Sequence, residues 1–110
     1  MNKKLKTICI IPARGGSKGL PGKNLRLFNG KPLIAWPIIA ATKCKIIDTV
    51  IVTTDSEEIA TQAKLFGASV PSLRPSFLAQ DNSTTETTLK YALESFEEDT
   101  KQRFDICVFL

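Results

Sequence analysis

What the chain lacks limits what it can be. None of its apolar runs approaches the roughly 18 residues that a membrane-spanning helix needs; Ile8 to Ile11 and Val108 to Leu110 are among the longest. The basic residues after Met1 lead into a run that soon meets Pro12 and Arg14, with no small-residue cleavage site, so a signal peptide is not expected. Cysteine is scarce: Cys9, Cys44 and Cys107 are odd in number, far apart and set among apolar neighbours, which predicts reduced core thiols, no metal knot and a cytoplasmic protein. There is no internal repeat, low-complexity tract or linker. A chain of 110 residues with 43% hydrophobic and 24% charged residues is sized for one globular core.

Acid is also missing, but only from one half. Residues 1–47 carry ten Lys or Arg and no Asp or Glu, whereas residues 48–110 carry five bases and eleven acids, so the formal charge of +4 hides a basic half and an acidic half. A basic half suggests an anionic partner. The basic residues are interleaved with Gly and Pro and lack an aromatic stacking series or a recognition helix, which favours a small polyanion over nucleic acid.

The order of elements predicts an α/β fold. Thr7 to Ile11 is a β-branched run ended by Pro12, a central strand. Lys31-Pro32-Leu33 is expected to open a helix over Ile34 to Ala40, with Pro32 in its first turn. Asp48 to Thr54 is a second strand, followed by an acid-rich helix start at Asp55-Ser56-Glu57-Glu58 and a helix that Gly67 stops. Ala68 to Val70 is a short third strand, Leu73 to Gln80 a loop, and Asp81 or Ser83 caps a helix with apolar positions Leu89, Ala92, Leu93 and Phe96. Arg103 to Leu110 ends in an apolar strand expected to be covered on both faces. The pattern implies a mainly parallel sheet. Because open α/β sheets place their chemistry beyond the carboxyl ends of strands, a domain stopping there would be unusual, and residues 1–110 are expected to be the amino-terminal portion of a longer protein.

The chemically dense segment is Pro12-Ala13-Arg14-Gly15-Gly16-Ser17-Lys18-Gly19-Leu20-Pro21-Gly22-Lys23-Asn24, directly after the first strand. Its glycines let backbone N–H groups converge on phosphate oxygens, and Arg14, Lys18 and Lys23 can neutralise a polyphosphate. It is neither a Walker loop nor a dinucleotide fingerprint: the glycine five positions before Gly22 is missing, Asn24 follows Lys23, and no Gly-x-Gly-x-x-Gly spacing occurs. Asp55 offers a carboxylate near the same crevice, either for a nucleotide or cation or as a helix cap. Trp36 and Tyr91 read as packing residues.

This segment resembles the opening signature of the cytidylyltransferases that activate acidic nine-carbon sugars, the N-acylneuraminate enzymes with their legionaminic and pseudaminic acid relatives. Asn29-Gly30-Lys31-Pro32-Leu33-Ile34-Ala35, Val52 to Ala60, Gly67-Ala68, Leu73-Arg74-Pro75 and Leu78-Ala79-Gln80-Asp81 extend the resemblance over nearly the whole chain. It implies a Rossmann-like three-layer α/β/α nucleotidyltransferase fold with a mostly parallel sheet, and in-line displacement of pyrophosphate from CTP by the anomeric hydroxyl of a 2-keto acid sugar. It further implies that Arg14, Ser17 and Lys23 hold the triphosphate, with Gly15, Gly16 and Lys18 in the same cradle. Lys23, and Arg14 with it, would offset charge growing at the α-phosphate. Asn24 would lie near the nucleotide sugar, the backbone of Ala13 and Arg14 beside the cytosine, Arg74 on its exocyclic edge, and Asp81 and Thr84 would shape that side. Magnesium ligands, the sugar site and the homodimer elements would come from a part not represented in these residues, leaving the 110 residues alone inactive. The alternatives are a nucleotidyltransferase for the eight-carbon acid 3-deoxy-manno-octulosonate, whose loop generally lacks the paired glycine before Ser17, and a noncatalytic nucleotide-binding module.

Overall fold

The computed structural model of the chain describes residues 5–15, 22–71 and 85–110, with the backbone alone at Thr85 and Glu86. Its centre is a parallel sheet in the order β4-β1-β5, made of β1 (Thr7–Pro12), β4 (Thr49–Thr53) and β5 (Ile106–Phe109). Ile8 to Pro12 pair in register with Thr49 to Thr53 on one side, and Thr7 to Ile10 pair with Ile106 to Phe109 on the other.

Side-chain alternation along the central strand builds two separate cores. Cys9 and Ile11 of β1, with Val50 and Val52 of β4, face α1 (Ala35–Lys43) and α2 (Glu57–Leu65), meeting Ile38, Ala41, Ile59 and Ala63. Ile8 and Ile10, with Ile51, face α3 (Thr85–Thr100) and pack on Ala92 and Phe96. Two helices on one face and one on the other form the expected three layers. Ile8, Ile10, Ile38 and Ile51 are fully buried, each stabilising the fold by about 1.5–3 kcal/mol relative to exposure. Among the described residues no helix is long and apolar enough to cross a membrane.

Four expectations need correction. The helix after the loop does not open at Lys31-Pro32: Leu27–Phe28 (β2) and Lys31–Pro32 (β3) pair as a small antiparallel hairpin, and α1 begins at Ala35. Asn29 and Gly30 at its tip both have positive φ, 49° and 84°, the pair of left-handed residues that a tight two-residue turn requires. Ala68 to Val70 contributes only an isolated parallel bridge, Ile51 to Ser69. The closing strand is not covered on both faces: Ile106, Phe109 and Leu110 are 42%, 49% and 53% exposed, and among the described residues β5 lies at the border of the sheet. Of the three free thiols only Cys9 is a core residue; Cys44 is half-buried and Cys107 exposed. Burial pushes the Cys9 thiol up, with Cys107 and Cys44 adding smaller contributions in the same direction. The predicted loop over Leu73 to Gln80 and the caps at Asp81 and Ser83 lie outside the described residues.

Candidate functional site

β1 and β4 end together, Pro12 opposite Thr53, and the ladder continues one rung further as Ala13 N donates to Thr53 O at 2.9 Å. Beyond that rung the two chains part. The chain after β4 turns into α2, while the chain after β1 enters the glycine-rich loop. Ser56 caps α2, its Oγ accepting from Ile59 N at 3.3 Å, and buried Thr54 holds the turn by accepting from Ser56 N at 3.1 Å. Asp55 is therefore not the cap: its Oδ1 accepts from Gly15 N at 2.9 Å, tying the start of the loop to the end of β4. Ser and Asp rank alike as caps, so composition alone could not choose between adjacent candidates.

Gly15 has a steric reason to be glycine. A Cβ there would lie 2.9 Å from Ser56 Cβ, closer than real side chains approach, so Gly15 packs directly on the turn into α2. The far end of the loop returns through Gly22, at φ 74°, into a 3₁₀ turn over Lys23–Leu25. Leu25 N donates to Gly22 O at 3.0 Å, and Asn24 Nδ2 reaches back to Arg14 O at 3.2 Å. The segment leaving the loop is then held by Ile34 N to Asn24 O at 3.0 Å and Leu33 N to Arg26 O at 2.8 Å.

Ala13, Arg14, Gly15, Lys23 and Asn24 are thus gathered at the carboxyl end of the sheet, with Ala13 buried, Arg14 and Asn24 half-buried and Lys23 exposed. Gly16, Ser17, Lys18, Arg74, Asp81 and Thr84 lie outside the described residues. Thr54 and Ser56 were not singled out by sequence; the signal was their place between a β-branched strand and an acid-rich first turn. The first turn of α2 holds Glu57 and Glu58, which oppose an anion at that helix end, so positive charge for an anionic ligand comes from the loop. Trp36 packs edge-on against Phe28, with ring centres 6.3 Å apart, and donates from Nε1 to Phe28 O, as a packing residue does. Among the described residues no three His, Cys, Asp or Glu side chains converge as a metal set. Asp55 Oδ1 is engaged by a backbone N–H, so the described residues do not by themselves offer a carboxylate set for a magnesium ion.

Parallel strands between helical layers, with a glycine-rich cationic loop leaving the first strand, define an α/β protein of the nucleotidyltransferase fold. The solved structure of CMP:2-keto-3-deoxy-manno-octonic acid synthetase complexed with CTP matches at a TM-score of 0.73 and 28% identity, over 96% of this chain and 39% of that one. The chain belongs to the cytidylyltransferase family, whose model matches residues 8–104. It is 47% identical over 94 residues to CMP-N,N'-diacetyllegionaminic acid synthase of Legionella pneumophila, covering 86% of this chain and 40% of the relative. It is 38% identical over 103 residues to pseudaminic acid cytidylyltransferase of Campylobacter jejuni, with 94% and 44% covered. To N-acylneuraminate cytidylyltransferase of Escherichia coli it is 43% identical over 95 residues, with 86% and 22% covered. The chain therefore spans less than half the length of these relatives.

Proposed function

We propose that these 110 residues are the CTP-binding part of a cytoplasmic cytidylyltransferase that transfers CMP from CTP to an acidic nine-carbon 2-keto sugar and releases pyrophosphate. The observation that carries the reading is the loop: hydrogen bonds hold Arg14, Gly15 and Asn24 beyond the paired ends of β1 and β4, with exposed Lys23 next to Asn24, in a chain whose relatives are named for that chemistry. Arg14, Ser17 and Lys23 hold the triphosphate, with Gly15, Gly16 and Lys18 in the same cradle, and Lys23 offsets the charge that grows at the α-phosphate during in-line attack. The backbone of Ala13 and Arg14 lies beside the cytosine, Asn24 near the sugar, and Arg74, Asp81 and Thr84 complete the base side. Magnesium, the acidic sugar and the homodimer contacts engage the portion of the relatives that this chain does not span. Gly15-Gly16 before Ser17 favours a nine-carbon over an eight-carbon acid substrate.

Calorimetric titration of the chain with CTP and UTP tests the reading. CTP is expected to bind more tightly than UTP, and Arg14→Ala or Lys23→Ala to weaken CTP by roughly tenfold or more, the scale of one charge-assisted hydrogen bond. Equal affinity for the two nucleotides overturns it.

A further inference from the structure

We propose that Asp55 and Asn24 are positioning residues that grip a single peptide unit, Arg14–Gly15, from both ends, and so set how Arg14 and the first loop amides face a triphosphate. The inference rests on the nucleotide reading above. Gly15 N donates to Asp55 Oδ1 at 2.9 Å, and Arg14 O accepts from Asn24 Nδ2 at 3.2 Å. That N–H and that C=O belong to one planar amide, so holding both stops the plane from rotating. Freed from either grip, the plane could turn through the soft torsions on each side, and glycine on one side makes such turning cheap.

Both grips are themselves anchored. Asp55 stands between Thr54 and Ser56, whose backbone N and Oγ are engaged by Thr54 Oγ1 and Ile59 N. Asn24 is fixed through its own carbonyl, which accepts from Ile34 N. The close approach of Gly15 to Ser56 adds a third restraint from the side. Charge separates this role from direct ligand contact. An ionised carboxylate only accepts hydrogen bonds, so Asp55 has nothing to donate to a phosphate oxygen and would repel it. What it can do beside a polyanion site is hold a backbone N–H, and that is the contact it makes. The two residues lie 31 positions apart in sequence.

The test is a double-mutant cycle read by CTP calorimetry, together with the Gly15 amide resonance in an ¹⁵N spectrum. Asp55→Ala and Asn24→Ala are each expected to weaken CTP by about tenfold, the scale of a lost hydrogen bond to or beside a charged group. The double variant is expected to lie within about threefold of the weaker single variant, because both act on one amide. Asp55→Asn keeps an acceptor oxygen and is expected to recover most of the loss, with the Gly15 resonance moved upfield in Asp55→Ala and restored in Asp55→Asn. Should Asn24→Ala fail to fold, Asn24→Asp keeps the size and removes the donor. Multiplying losses, about a hundredfold in the double variant, would mean that Asp55 and Asn24 do not act through one shared amide and would overturn the proposal, as would wild-type affinity in Asp55→Ala. A wild-type chain indifferent to CTP overturns the nucleotide reading instead, and the grip then stands or falls on the Gly15 amide.

Discussion

The two ends of β1 use the same device for different purposes. At the amino end, Thr7 N donates to Asp48 Oδ2 while Asp48 N donates to Thr7 O, and Lys6 N donates to Asp105 Oδ2 while Asp105 N donates to Lys6 O. Each aspartate directly precedes or closely leads a neighbouring strand, and each pair is reciprocal. At the carboxyl end, Asp55 follows β4 and accepts from Gly15 N, while the carbonyl of that peptide unit, Arg14 O, accepts from a second element through Asn24 Nδ2. Reciprocal pairs close a sheet. An amide shared between two elements shapes a loop. Where an aspartate stands relative to its strand thus separates a registration contact from a site contact.

Substitutions can break or sharpen that distinction. The largest effect is expected at the waist of the strand, where Ile10→Ala empties a fully buried position shared by both ends and should cost about 2–5 kcal/mol in chemical denaturation. If the loss were below 1 kcal/mol, the ends would not depend on a common core. Asp48→Ala should cost about 1–2 kcal/mol by leaving the buried Thr7 without its acceptor, while CTP affinity in calorimetry stays within about twofold. A comparable fall in affinity would erase the division between the ends. Asp105→Ala should be smallest, about 0.5 kcal/mol, since its bond to Lys6 N is exposed and water can replace it; an effect equal to that of Asp48→Ala would show that exposure does not grade these contacts.

Much of the layered fold was legible because it rests on periodicity. The β-branched runs at Thr7 to Ile11 and Thr49 to Thr53 are strands in the structure, and Gly67, at φ 107°, follows α2 as a terminator should. The hairpin is hard to see in the sequence because Pro32 also suits the first turn of a helix, although Asn29-Gly30 just before Lys31 carries the stronger turn signal. In β3 the proline sits in a two-residue strand, where its missing N–H costs little. The exposure of β5 was not legible at all, because an apolar strand reads the same whether or not something packs on it. In the site, charge and glycine content marked the loop, but the contacts that shape it are made by Asp55 and Asn24 across 40 and 10 residues, pairings that no local pattern encodes.

The hairpin also gives the chain an optical property. Trp36 is its one tryptophan, seated edge-on to Phe28 with the Lys31 ammonium 5.2 Å from the ring centre. Its indole N–H rests on the Phe28 carbonyl, and the same hairpin is laced to the loop's exit through Arg26 and Asn24. Tryptophan emission from this molecule, excited apart from Tyr91, therefore originates at a single place next to the glycine-rich loop, so an unlabelled sample carries its own fluorescent gauge of whether that exit is seated.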